Sequence, residues 1–438
     1  MERGSTSQIG GGRRRGLSPR RPQVVTVLDV GSTKVACLIA RLVPSDAGDV
    51  LPGRTHAIET LGYGYTQASG VKSGVVVDLD RAEKAIRLAV DAAERMAGVT
   101  VESILVTLTA GRLKSEAFSA QVQLQDRAVS EDDIRRVLGA ASAHTLKPGR
   151  AAVHTLPIGY SLDGARGIRD PRGMLGRRLG VDVHVVTADA APLRNLALAV
   201  NRCHLDVAAM IAAPYASGLS TLIDDEAELG VACIDIGGGT TSIAVFSEGN
   251  LVHVDVIPFG GHHVTLDVAQ KLAITVQDAE SMKTFDGSVI SVSADERELL
   301  TARSVGGEPV QFSRSQLNRA VRPRMEQILE LVRDRLAESG FAGRIGRRVV
   351  LTGGGSQITG LPELARRILN RSVRLGRPLG VAGMRDTRKG PDLAAAVGLL
   401  IHPQIAQNED LALHVPRPRL TGTDGYIARV GRWFKDSF

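Results

Sequence analysis

Two aspartates in this 438-residue chain interrupt apolar runs of the kind that form buried strands. Residues 25–40 read VTVLDVGSTKVACLIA, and residues 233–246 read CIDIGGGTTSIAVF. In each, an apolar run reaches an aspartate (Asp29, Asp235), crosses glycine and small polar residues, and resumes. A plain hairpin turn accounts for the glycines, which reach positive φ at little cost. A phosphate accounts for them too, because backbone N–H donors must come close and a Cβ would hold them away. Gly31, Gly237, Gly238 and Gly239 allow that approach, Ser32, Thr33, Thr240 and Thr241 add hydroxyl donors, and Lys34 can meet a phosphate charge. The aspartates are 206 residues apart, which predicts two copies of one core. Related by a pseudo-twofold axis, Asp29 and Asp235 would face each other and hold a hydrated Mg²⁺ that bridges to phosphate oxygens. The bland alternative is that both aspartates only cap turns, and the repeat speaks against it. A third device, RVVLTGGGS at 348–356, runs a strand into Gly353, Gly354 and Gly355 ahead of the helical pattern LPELARRIL. At that helix N-terminus the glycines would lie flat under a purine or a ribose.

The elements that must position these residues follow from periodicity. Apolar residues at helical spacing predict helices near 79–97, 130–143, 191–203, 263–272 and 314–339, alternating with β-rich hairpins. Ser130 caps the second of these, with acidic residues in its first turn. This is an α/β pattern with two lobes flanking a cleft. The expected organisation is a first-lobe core at 23–100 (with 183–208 and 381–402) and an inserted α+β subdomain at 101–182. The second-lobe core falls at 209–247 (with 328–380) and its small subdomain at 248–327. In this reading VDVHVVTAD, ending at 189, resumes the main sheet.

Composition removes other classes. Hydrophobic residues are 43% and charged residues 23%, as in an ordinary globular chain. Of the net charge of +7, residues 1–22 carry +5 (six arginines, one glutamate), leaving +2 on the other 416. That Arg-rich extension is expected to be disordered and receives no role. The body therefore lacks the basic footprint of a nucleic-acid binder, and aromatics at 3% leave no stacking platform. Cys37, Cys203 and Cys233 stand apart, as reduced thiols do in a cytoplasmic protein. No apolar run is long enough for a transmembrane helix. There is no GK dipeptide for a Walker loop and no strand-linked GxGxxG for a dinucleotide site. His262–His263 reads as a surface loop pair without a metal partner.

Two Asp-x-Gly hairpins, a late strand-GGG and the small-residue helix DLAAAVGLL (392–400) resemble the actin/Hsp70/sugar-kinase superfamily. In that superfamily two small-residue helices cross beneath the cleft, as PYASG (214–218) and AAAVG (394–398) could here. Within it, residues 24–402 resemble the FtsA family of bacterial cell-division proteins through GYGYTQASGVKSGVVVDLD, ELGVACIDIGGGTTSIAVF, VIPFGGHHVT and RVVLTGGGSQITGLPELA. The resemblance implies an actin-like duplicated fold with a repositioned subdomain, ATP binding with Mg²⁺, self-assembly into filaments and tethering of FtsZ to the cytoplasmic face of the membrane at the division site. It adds Lys283 to the nucleotide set, places the FtsZ C-terminal peptide on NRAVRPRMEQI (318–328) at Arg324 and Gln327, and gives the inserted subdomain the contacts to other division proteins.

Kinases and chaperones of this superfamily position a water or a proton at the cleft floor. No Asp, Glu or Gln lies within five residues of Pro214, so turnover is expected to be slow at most, with no catalytic residue assigned. The competing readings are a carbohydrate kinase or phosphatase of the same fold, and a pilus-assembly or chaperone-type ATPase. The C-terminus separates them. After a linker at 403–424, residues 425–438 read GYIARVGRWFKDSF. On a helix Tyr426, Ile427, Val430, Trp433, Phe434 and Phe438 fall within an arc of about 140°. Arg429, Arg432, Lys435 and Asp436 fall opposite, the composition of an amphipathic helix that lies on an anionic membrane.

Overall fold

The computed structural model describes residues 17, 20–45, 51, 53–142, 146–384 and 390–405. The Arg-rich stretch before residue 17, most of the 403–424 linker and the amphipathic segment 425–438 lie outside the described residues.

The first lobe opens with β1 (Gln23–Val30), β2 (Lys34–Pro44) and β3 (His56–Gln67). A short ribbon of β4 (Val71–Lys72) and β5 (Val75–Val76) leads to α1 (Leu79–Ala97) and β6 (Ser103–Leu108). Asp78 caps α1 by accepting from the Arg81 N–H, and Gly98 ends it in the left-handed region. The buried stripe of α1, Ala82, Ala85, Ile86, Ala89, Val90 and Ala93, lies on β3. Gly62 and Gly64 of β3 leave the room for that helix, since a Cβ on either would strike the α1 backbone.

An inserted layer follows: β7 (Lys114–Ala128), α2 (Glu131–Ser142), β8 (Arg150–Leu162), β9 (Ala165–Ile168) and β10 (Leu175–Asp189). These strands form a separate four-stranded sheet in the order β7-β10-β8-β9, with α2 on one face and its own core of Ile134, Val137, Leu138, Leu179, Val181, Val183 and Val185. Here the structure corrects the sequence reading. VDVHVVTAD belongs to β10 of the inserted sheet, whereas β6, expected inside the insertion, is a central strand of the first lobe. The chain rejoins the main sheet only after α3 (Ala190–Asn201), at β11 (Asp206–Ala212).

The small-residue helix α4 (Ala213–Thr221) and α5 (Asp224–Leu229) cross to the second lobe. Its sheet holds β12 (Val231–Ile236), β13 (Thr241–Ser247) and β14 (Asn250–Ile257). Between β14 and the rest of that sheet comes the small subdomain: α6 (Gly261–Leu272), α7 (Val276–Phe285), β15 (Leu299–Arg303), β16 (Pro309–Ser313) and α8 (Arg314–Glu338). The lobe closes with β17 (Arg348–Thr352), α9 (Leu361–Leu369) and β18 (Ser372–Leu375). The chain then returns through β19 (Val381–Ala382) to the first sheet and ends its described part in α10 (Ala394–Ile405).

The two main sheets repeat one topology. The first runs β11-β6-β1-β2-β3-β19 and the second β18-β17-β12-β13-β14. In each, the strand bearing the aspartate is antiparallel to its hairpin mate and parallel to a crossover strand on the other side. Between the lobes α4 packs on α10. A Cβ at Gly398 would fall on the Ala216 carbonyl oxygen, so the helices touch backbone to backbone, and Ser220 Oγ donates to the Ala394 carbonyl at 2.7 Å. That contact is what the small-residue stretches PYASG and AAAVG make possible.

Candidate functional site

The repeated hairpins carry the same internal bond. Gly31 N–H donates to the Lys34 carbonyl at 2.9 Å, and Gly237 N–H to the Thr240 carbonyl at 2.9 Å. The loops of the two hairpins meet head on. A Cβ at Gly238 would overlap the Thr33 side chain, and one at Gly239 the Ser32 side chain. These glycines therefore serve loop-to-loop contact between lobes as well as any approach to phosphate. The cleft around them is narrow, about 130 Å³. Sites for small organic ligands run from about 300 Å³ upward. As it stands, the cleft is smaller than such sites.

Asp29, Gly31, Ser32, Thr33, Lys34, Asp235, Gly237, Gly238, Gly239, Thr240, Gly353 and Gly354 all line this cleft. Three expected members do not. Thr241 is fully buried in β13, its hydroxyl donating to the Phe259 carbonyl at 2.8 Å. Gly355 faces Ile236, where a Cβ would lie 2.6 Å from Cγ2. Lys283 is buried behind the second loop, where its ammonium donates to the Gly261 carbonyl (3.1 Å), Thr265 Oγ1 (2.9 Å) and Glu280 Oε2 (2.7 Å). The expected helix N-terminus is also displaced. The glycines enter a 3₁₀ turn, Gly354–Gln357, and α9 begins only at Leu361.

Each aspartate is held by a hydroxyl from its own lobe or the crossing helix. Thr107 of β6 donates to Asp29 Oδ1 at 2.7 Å, and Ser217 of α4 donates to Asp235 Oδ2 at 2.5 Å. Burial pushes the Asp29 carboxyl up, against the pull of Lys34 and Thr107. Burial likewise pushes Asp235 up to about 6, with the Ser217 bond opposing and the Asp29 charge adding. Sequence reasoning missed Asp392, which also lines the cleft and pairs with Lys34 at 2.6 Å. Lys34 is thus not a free cation awaiting a phosphate. Its ammonium also bonds the Asp392 carbonyl and lies 5.7 Å from the Tyr65 ring centre. Asp29 and Asp235 line the same cleft, so three carboxylates face one ammonium there, and only Asp392 is paired with it. Among the described residues, no cluster of three or more Asp, Glu, His or Cys is placed to cage a metal directly.

The second loop is braced from behind. Gly261 and His262 N–H groups donate to the Gly237 and Gly238 carbonyls at 2.9 and 2.8 Å. His262 and His263 therefore sit in the first turn of α6, not in a surface loop, and His263 Nδ1 accepts from the Gly260 N–H at 3.2 Å. One turn further along, Asp267 of α6 grips Arg324 of α8 with two bonds, at 2.7 and 2.9 Å. The same guanidinium donates to Gln327 Oε1 at 2.7 Å and stacks over Phe259, 5.5 Å from its ring centre. The structure brings Arg324 and Gln327 together. It adds Asp267 and Phe259, which sequence reasoning missed.

A family model described as cell division protein FtsA matches residues 232–398, and one described as an SHS2 domain inserted in FtsA matches 110–187, the span of the inserted sheet. The cell division protein FtsA of Agrobacterium fabrum is 52% identical over 441 residues, covering 99% of each chain. A solved structure titled PilM-PilN type IV pilus biogenesis complex aligns with a TM-score of 0.58 at 16% identity, covering 86% of this chain and 98% of that one. MreB5 of Spiroplasma citri bound to ADP aligns with a TM-score of 0.52 at 16% identity, covering 90% and 99%. At such identities these two speak to fold alone, and the fold is actin-like.

Proposed function

The chain belongs to the FtsA family of cell-division proteins, and from that premise we propose that it binds ATP with Mg²⁺ between its lobes, assembles with its own copies into actin-like filaments, and tethers FtsZ to the cytoplasmic face of the membrane. The observation that carries the nucleotide reading is the meeting of two Asp-x-Gly hairpins, loop to loop, from sheets of one topology. The donor set fits hydrated Mg²⁺: Asp29 and Asp235 are single carboxylates on opposite walls, suited to bonding the waters that this ion retains. A bound Mg²⁺ would supply the positive charge that three carboxylates and one ammonium leave wanting. In this reading turnover is slow at most; Ala213, where α4 meets the cleft, carries no acid–base group, and the carboxylates that line the cleft are Asp29, Asp235 and Asp392. Kinase, phosphatase and pilus-ATPase readings give way because full-length similarity runs to cell-division proteins.

The FtsZ C-terminal peptide docks on the α6–α8 face at Arg324 and Gln327, where an acidic group must compete with Asp267 for the guanidinium. Other division proteins engage the inserted layer. Residues 425–438 supply the membrane contact. In this reading that contact is peripheral; among the described residues no helix is long and apolar enough to cross a membrane.

Calorimetric titration with Mg-ATP tests the site. Asp235→Ala should lose at least about tenfold in affinity, the effect of one charged-group interaction. Asp132→Ala, on the exposed face of α2 with its side chain 81% exposed, should bind as the parent does. Equal affinities for the two variants would remove the cleft assignment.

A further inference from the structure

The crossing helices have two ends. Ala213 and Ala395, near the start of α4 and α10, line the nucleotide cleft. Their C-terminal ends frame a second depression of about 580 Å³, floored by Leu219, Leu222, Ile223, Phe246, Ile401 and Ile405. Phe246 and Ile401 are buried, but Ile223 is 45% exposed, and Leu229 on the adjoining α5 is 73% exposed. The charged lining is unbalanced: Asp224, Asp225 and Glu228 against Arg54 alone. Arg54 donates to the Leu379 carbonyl, and Glu228 pairs with Arg169 of the inserted layer. Asp225 is exposed and makes no ion pair among the described residues.

We propose that this groove receives the chain's own segment 425–438, holding its apolar face away from the membrane until lipid competes for it. The inference rests on reading that segment as the membrane contact. Three observations select this occupant. The described chain ends at Ile405, itself part of the groove floor, so the segment is tethered at the site. Only 19 residues, 406–424, intervene, and a link of such length reaches at most about 65 Å while giving an effective concentration of roughly millimolar order. Composition matches on both counts. Tyr426, Ile427, Val430, Trp433 and Phe434 offer apolar groups to an apolar floor, and Arg429, Arg432 and Lys435 against Asp436 bring two net positive side chains to an acidic rim. One apolar face cannot occupy the groove and a bilayer together, so docking and membrane binding exclude each other.

Trp433 is the chain's single tryptophan and reports the outcome directly in the full-length protein. Without lipid, acrylamide should quench Trp433 several-fold less in the parent than in Ile223→Glu or Asp225→Lys, both changes of exposed residues that leave Mg-ATP binding intact. Reversing the partner charges, Arg429→Glu with Arg432→Glu, should restore protection to Asp225→Lys. Ile223→Glu should also bind vesicles containing phosphatidylglycerol at several-fold lower lipid. If Trp433 is equally quenched in parent and Ile223→Glu, the groove is not its site and the proposal fails. Protection that vanishes on dilution would assign the groove to a second copy's segment and overturn it equally. If Trp433 is protected by the groove yet never shifts with vesicles, docking stands while the membrane reading falls, so the two failures are distinct.

Discussion

Gly353 is where the architecture of the cleft is most exposed to a single methyl group. Its φ of 82° and ψ of 162° lie in a region that is essentially closed to side chains. A Cβ there would overlap Asp235 Oδ1 and come within 2.6 Å of the Ile236 carbonyl oxygen. Gly353→Ala therefore meets a backbone cost of about 1–3 kcal/mol and an overpacking cost of about 1–3 kcal/mol, together about 2–6 kcal/mol. Relief by moving Asp235 would break its bond to Ser217 and displace the carboxylate from the cleft. Gly354→Ala is the matched comparison: its φ is not positive, and the nearest atom to a new Cβ is Asp392 Cβ at 3.6 Å, ordinary contact. Urea denaturation should put Gly354→Ala within about 1 kcal/mol of the parent, and Gly353→Ala well below both. Mg-ATP titration of folded Gly353→Ala should show affinity reduced by at least about tenfold, one hydrogen bond to a charged group being worth about 1.5–3 kcal/mol. Equal stability for the two alanine variants would refute the assigned role of Gly353, and normal ATP affinity in Gly353→Ala would refute that of Asp235's position.

At the α6–α8 face, Arg324→Glu should abolish binding of an acidic FtsZ C-terminal peptide, whereas Asp267→Asn, which frees the guanidinium from its two-bond partner, should strengthen it several-fold. Fluorescence anisotropy with a labelled peptide decides, and weakening by Asp267→Asn would show that Asp267 positions Arg324 and does not compete. A pH effect is expected where the inserted layer meets the second lobe. His184 of β10 bonds the Leu251 carbonyl and Ser115 Oγ at 2.9 Å each, and burial pushes it down to about 4 from 6.5. Between those values the unfolded chain takes up a proton that the folded chain refuses, so this contribution is complete above pH 6.5 and is lost as pH falls toward 4. The loss is about 2 kcal/mol by pH 5. Urea midpoints at pH 7.5 and 5 should therefore differ less for His184→Gln than for the parent, and identical differences would contradict the assignment.

What the sequence disclosed is local in the chain. Each Asp-x-Gly hairpin closes on a bond between residues three apart, Gly31 to Lys34 and Gly237 to Thr240, so a short window contains its own evidence. The helix α1 fell at its observed limits because its cap, its apolar stripe and its terminating glycine are contiguous. Sheet membership is different. β6 and β10 are both apolar strands of ordinary pattern, and nothing in either states whether its neighbour is β1 or β7. The insertion was therefore sensed but cut at the wrong strands, since pairing between distant segments is fixed by packing and topology, not by local pattern.

The same distinction governs the site. Lys34 in isolation reads as a phosphate ligand, and only the folded chain brings Asp392 to it from 358 residues away. That pairing changes the chemistry expected of the cleft. A lone lysine would draw an anion directly. A lysine already neutralised by Asp392, beside Asp29 and Asp235, cannot do so, and the charge needed to accept a polyphosphate must arrive with a cation or be released when Lys34 leaves Asp392. Glycines follow the rule as well. Gly238 and Gly239 look permissive in sequence, yet the side chains they make room for, Thr33 and Ser32, belong to the other lobe. Conformational freedom can be read from one glycine, but the surface that requires its missing side chain is supplied by a segment more than two hundred residues away.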